Sequence, residues 1–178
     1  MSNTLYNKDG AAIPPRPEYS DELIATAVKK ALDGGRIFRS MMATKPSTEA
    51  IDKFAQDFAE IWYDGADAYE AAKEMESKGH KVNAQFVDDV EMLDSAIFGT
   101  FNQAERDWAT EHQPVAPFGV GTRLKIEGNI TGKVEFGTID EIYPNIPATY
   151  CVTIDGRPDG DTTRRLIKFE HAVSEVAA

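Results

Sequence analysis

The sequence predicts an α+β fold in which helices precede a small, strongly bent sheet, and three observations carry that prediction. Apolar residues recur every three or four positions as far as Trp108, the spacing of amphipathic helices. From Val120 they alternate between glycines, as they do in strands. Between the two regimes lies His112-Gln-Pro-Val-Ala-Pro-Phe-Gly119, a proline-bearing connector. The chain therefore divides into an extended Pro-rich arm (1–19), a helical domain (20–112) holding a short helix and a long antiparallel helical hairpin, a connector (113–119) and a small β-barrel (120–178).

Residues 1–19 read as an arm because Ile13-Pro-Pro-Arg-Pro17 lacks N–H donors and restricts its neighbours to extended backbone. A polyproline-II stretch is expected here. Pro14, Pro15, Arg16 and Pro17 have the spacing of a PxxP ligand, a short and common pattern, and a tether or linker is the simpler reading. Free arms are poorly ordered unless docked.

Ser20 is placed to cap a first helix, with Asp21 and Glu22 in its first turn and Leu23, Ile24, Ala27, Ala31 and Leu32 on one face. Gly34-Gly35 stops it, and Arg36 to Met42 adds a short turn in which Met41 and Met42 fill the core or form an adaptable contact. A long helix is expected from Ser47 or Thr48 to Gly79, its apolar side traced by Ile51, Phe54, Phe58, Ile61, Trp62, Tyr69, Ala72 and Met75, with Gly65 marking a close helix crossing. Asn83 caps a second long helix carrying Phe86, Val90, Leu93, Ile97, Phe101, Ala104 and Trp108. The short link 79–83 makes the two antiparallel neighbours, each roughly 40–50 Å long.

Beyond the connector, strands are expected at 122–127, 132–142, 148–154 and 163–168, with a short fifth at 172–176. Gly137 marks a bulge or bend, and Asp155-Gly156 opens a turn. Val120-Gly-Thr-Arg-Leu-Lys-Ile, then Gly-Lys-Val-Glu-Phe-Gly-Thr-Ile-Asp-Glu-Ile, then Tyr-Cys-Val-Thr-Ile-Asp-Gly resembles an SH3-like small barrel of the KOW type. The resemblance covers about a third of the chain and implies a fold more than a function. Members of that group bind protein, RNA or other barrels and serve ribosomal, transcriptional and phage assemblies. No site residue is carried over from it.

Composition narrows the function. The longest apolar runs are too short to span a bilayer, and Met1 to Asp9 lacks the apolar core of a signal peptide. Cys151 is the single cysteine, so no internal disulfide forms and a reducing compartment, or a virion assembled in one, is expected. The net charge is −11, most of it before the barrel: residues 1–117 carry 12 Lys+Arg against 21 Asp+Glu, and residues 118–178 carry 7 against 9. Such a chain repels nucleic acid and anionic lipid at long range.

The candidate chemistry is sparse. Gly128 to Lys133 approaches a phosphate loop, but its spacing is one residue short and Val134 stands where Ser or Thr belongs; a hairpin turn is simpler. Asp155, Asp159 and Asp161 lack a calcium-loop register, and His80, His112 and His171 are scattered, so no metal or cofactor is expected. Asp57, Glu60, Asp64 and Asp67 fall three or four apart, which on one helix is a single acidic face; Asp57, Asp64 and Asp67 then either meet a basic partner or are merely solvated. Arg164, Arg165 and Lys168 form the one basic cluster. With Tyr143, Tyr150 and Phe169 nearby it could make a nucleic-acid patch, although a charged rim around a protein-binding face is simpler.

The expectation is a non-enzymatic structural or adaptor protein that contacts protein partners in a multi-subunit particle, such as a bacteriophage virion or accessory component. It would act as a homo- or hetero-oligomer, with no membrane or nucleic-acid partner, and with barrel and hairpin moving as one rigid body. One alternative is an acidic inhibitor that mimics nucleic acid on a host protein. A second is an RNA- or ribosome-associated barrel.

Overall fold

Local capping sets the first helices. Ser20 Oγ accepts from Leu23 N at 3.2 Å, and Ser47 Oγ accepts from Ala50 N at 3.2 Å. Each satisfies one of the orphan donors at a helix start. The computed structural model describes residues 3–33, 47–126, 134–158 and 160–175. Within them run α1 (Asp21–Asp33), α2 (Thr48–Ile61), α3 (Ala68–Ser77), α4 (Ala84–His112), β1 (Arg123–Ile126), β2 (Glu135–Ile142), β3 (Thr149–Ile154), β4 (Arg164–Lys168), a 3-10 turn (Phe169–His171) and β5 (Val173–Ser174). The expected stop at Gly34-Gly35, the turn with Met41 and Met42, the loop Gly128 to Lys133 and Asp159 lie outside the described residues. No helix among the described residues is long and apolar enough to cross a membrane.

The single long helix expected from Ser47 to Gly79 is two helices. Trp62 leaves the helix with ψ 138 while its N–H still donates to Phe58 O. Gly65 takes φ +82 with nothing near its would-be Cβ, so it is a turn glycine and marks no helix crossing. Asp67 then caps α3, its carboxylate accepting from Tyr69 N and Glu70 N. Turn chemistry outcompetes an apolar spacing that would otherwise run on. The expected pair of long helices is thus replaced by α2, α3 and the 29-residue α4.

Contacts divide the chain into two compact units, Pro17–Ala104 and Met1–Arg16 with Glu105–Ala178. The division falls within α4 rather than at the connector where the hydrophobic period changes. In the helical unit α1 packs on α2 and α2 on α3, around Ile24, Val28, Phe54, Phe58, Met75, Phe86, Leu93 and Ile97. Tyr19 stacks on Phe101 at 4.1 Å, and Trp62 Nε1 donates to Asp94 at 2.5 Å.

In the other unit the five strands form one antiparallel sheet, ordered β4-β3-β2-β1-β5. The observed strands fall within the stretches expected from alternation. Leu124, Ile126, Ile139, Tyr150, Val152 and Ile154 build the core with Trp108, Phe169 and Leu5 of the arm. The bulge sits between Ile139 and Glu141 rather than at Gly137. Gly137 instead allows close approach of β3, since a Cβ there would lie 2.5 Å from Thr153 O.

Candidate functional site

The arm is seated on the sheet unit, and Arg16 holds its end. Extended prolines leave carbonyls unclaimed, and Pro14 O accepts from Trp108 Nε1 at 3.0 Å. Glu105 and Trp108 are three apart on α4 and so share a face. Between them and the strand ends, Arg16 places all five N–H groups. Nε donates to Glu170 Oε1 at 2.6 Å, and Nη2 donates to Glu170 Oε2 at 3.2 Å and Ala148 O at 2.8 Å. Nη1 donates to Glu105 Oε1 at 3.3 Å and Pro147 O at 2.9 Å. The guanidinium carbon lies 5.1 Å from the Trp108 ring centroid.

This centre is nearly dry: the Arg16, Glu105 and Glu170 side chains are 3, 5 and 11% exposed. Lys168 Nζ stands 3.4 Å from Glu105 Oε1, so two cations face two carboxylates. Ala148 adopts φ 47, a left-handed conformation unfavourable for a residue with a Cβ. Its carbonyl accepts from both Arg16 and Phe169 N, which holds that conformation in place. Arg16 is therefore committed inside the chain. Pro14 and Pro15 stay exposed and Pro17 is half-buried, so the expected PxxP surface lacks its cation.

The expected acidic face does not form. The break after α2 separates Asp57 from Asp64 and Asp67. Asp57 accepts from Lys53 Nζ at 2.5 Å and meets His80 Nε2 at 2.6 Å. The Lys53 hydrogen bond, opposed by burial and aided by His80, holds its carboxyl below the ordinary aspartate value. Glu60 pairs with Lys78 at 2.6 Å. Asp64 is exposed in the loop, and Asp67 is spent on the α3 cap. A cavity of about 320 Å³ beside His80 is lined by Ala50, Lys53, Phe54, Lys78, Gly79, His80 and Lys81. Asp89 is buried on α4, and its Oδ2 has no hydrogen-bond partner among the described residues.

The basic cluster is likewise divided. Arg164 and Arg165 are neighbours on β4 and so point to opposite faces. Arg164 Nε lies 2.5 Å from Asp140, and Arg165 pairs with Glu135. Tyr150 and Phe169, expected near this patch, are buried in the core. Along β4 runs a groove of about 360 Å³ lined by Ile126, Arg165, Leu166, Ile167, Lys168 and His171. Among the described residues β4 ends the sheet, and Leu166 is 43% exposed on it. Asp155 pairs with Arg123 at 2.8 Å, and Asp161 accepts from the Thr163 hydroxyl and from Thr163 N at 2.8 Å, which together lower its pKa, the hydroxyl more. Both are thereby tied into local turn and strand contacts.

Sequence reasoning missed Glu105, Glu170 and Leu166. Leu166 was legible in principle, as the apolar residue between Arg164 and Lys168 on one strand face. Glu105 and Glu170 carry no local signal, because they meet Arg16 across 89 and 154 residues. Comparison with protein-family models, with curated proteins and with solved structures finds no match.

Proposed function

We propose that the chain is a non-enzymatic adaptor in a larger assembly, its sheet unit a small SH3-like barrel presented to protein partners. The observation that carries this is the β4 edge: among the described residues, a terminal strand with Leu166 exposed beside a groove. An edge strand with an exposed apolar side chain is a ready surface for another chain. The barrel reading is supported by the meander β1-β2-β3-β4, whose short β5 returns to pair with β1 after a 3-10 turn. The arm, the 3-10 turn and the end of α4 meet at Arg16, which gives that surface a fixed support. A bacteriophage virion or accessory complex is the assembly we propose, by association with the barrel group.

The two alternatives lose support from particular residues. Mimicry of nucleic acid needs a continuous exposed acidic row, and Asp57, Asp64 and Asp67 are separated. RNA binding is served by a patch of cations beside accessible aromatic faces, whereas Arg164 and Arg165 point to opposite faces of β4 and Tyr150 and Phe169 are buried. The test is site-specific photocrosslinking in extract of the native source. A crosslinker at position 166 is expected to capture a discrete partner polypeptide, and one at exposed Gln56 of α2 is not. Equal capture from both positions, or none from 166, defeats the adaptor reading at this edge.

A further inference from the structure

We infer that the outer edge of β4 receives an extended peptide segment of pattern acidic-x-apolar-x-acidic as an added strand, an inference that rests on the adaptor reading. The phase of the ladder points to it. Phe169 N donates to Ala148 O, and Tyr143 N donates to Thr149 O. Continued along the register, Tyr150↔Ile167 and Val152↔Arg165 are the hydrogen-bonded pairs. Arg164, Leu166 and Lys168 then sit in non-hydrogen-bonded positions opposite Thr153, Cys151 and Thr149. Their backbone N–H and C=O groups point away from β3, toward the edge, with Leu166 at the centre.

The side chains add specificity to that backbone template. Arg164, Leu166 and Lys168 share one strand face, so an added strand places an apolar residue opposite Leu166 and a carboxylate opposite each cation. The pattern is symmetrical and reads the same in either strand direction. Arg164 pairs with Asp140 and Lys168 with Glu105; both cations are partly exposed, where such pairs contribute little and a cation can be shared with a second carboxylate. The groove along β4, lined by Ile126, Arg165, Leu166, Ile167, Lys168 and His171, gives the intervening side chains room. A second copy of β4 fits worse: paired antiparallel about Leu166, it sets Arg164 and Lys168 of each copy against cations of the other, and like charges directly opposite destabilise a sheet.

The full-length chain, labelled for amide spectroscopy, is titrated with the blocked peptide Thr-Glu-Thr-Val-Thr-Glu-Thr and with its Lys-for-Glu counterpart. The acidic peptide is expected to bind saturably and at least about tenfold more tightly than the basic one, a difference of ~1.4 kcal/mol. Hydrogen exchange at the Leu166 amide is expected to slow on saturation. Arg164→Glu leaves one cation and one carboxylate beside Leu166 and removes the preference between the peptides. Leu166→Pro abolishes binding while the other sheet amides keep their positions, because the N–H it removes is not part of the β3–β4 ladder. Three results overturn the inference: no binding or equal binding of the two peptides, binding that leaves the Leu166 amide unprotected, or protection of that amide by raised protein concentration alone, which assigns the edge to a second copy. Failure here with successful crosslinking at 166 removes strand addition and leaves the adaptor reading standing.

Discussion

Replacing Arg16 with alanine tests whether the buried charge centre holds the arm to the sheet unit. The substitution deletes five hydrogen bonds and leaves Glu105 and Glu170 as buried carboxylates, with Lys168 3.4 Å from Glu105. It also frees the Ala148 carbonyl from one of its two donors while that residue remains at φ 47. Breaking a buried ion pair by removing one partner costs about 3–5 kcal/mol, because the remaining charge has no compensation. Lys168 moderates this from a half-solvated position, so the lower half of that range is expected. Arg16→Lys keeps the charge and loses the planar fork, and its cost falls between wild type and alanine. The triple variant Arg16→Met, Glu105→Leu, Glu170→Leu removes every buried charge of the centre except Lys168, which can reach water, and loses less than Arg16→Ala alone. Urea denaturation followed by Trp108 fluorescence in a Trp62→Phe background reads the sheet unit by itself. A loss under about 1 kcal/mol for Arg16→Ala would show the centre to be screened like a surface pair and would refute the argument.

Three further outcomes are expected. Gly137→Ala forces a Cβ to 2.5 Å from Thr153 O and 2.8 Å from Val152 Cγ1; it should cost about 1–3 kcal/mol as overpacking does, whereas Gly99→Ala, in open space on α4, should gain up to about 1 kcal/mol. Equal melting temperatures for the two variants would contradict the close approach of β2 and β3. Asp67→Ala removes both bonds of the α3 cap and should lower the helical unit's stability by about 1 kcal/mol, seen as faster amide exchange in α3; unchanged exchange would mean that the cap does not hold the break. Asp57 has a depressed carboxyl pKa in the fold, so its contribution is complete above the ordinary aspartate value of about 3.9 and is lost as the pH falls through the lower folded value. Asp57→Asn should therefore flatten the acid limb of the helical unit's stability curve, and an unaltered acid limb in urea denaturation would count against the Lys53 and His80 contacts.

Much of the fold was legible because its signals are local. Ser20, Ser47 and Asn83 each cap the helix they precede, with Asn83 Oδ1 accepting from Phe86 N at 3.0 Å. Strand alternation located all five strands, since burial on one face demands period two. The break between α2 and α3 escaped because Ile61, Trp62 and Tyr69 keep helical spacing across it, while Gly65 and Asp67 look like tolerable interruptions. The candidate site was legible only in its parts. Arg16 drew notice as a proline-flanked cation on a binding arm, yet its ligands are an α4 glutamate, a 3-10-turn glutamate and two carbonyls. Arg164 and Arg165 looked like one patch, although adjacency on a strand already implied opposite faces.

The sequence by itself determined the α+β class, the order of helices before strands, most caps and the acidic balance. These depend on interactions within about four residues or on composition alone. The tertiary structure decided where charge is neutralised, that the arm belongs to the sheet unit through Leu5 and Arg16, why position 137 is glycine, and which strands end the sheet. Each of these depends on which distant groups meet when water is excluded. Desolvation makes a buried charge tolerable only beside partners that chain closure brings to it.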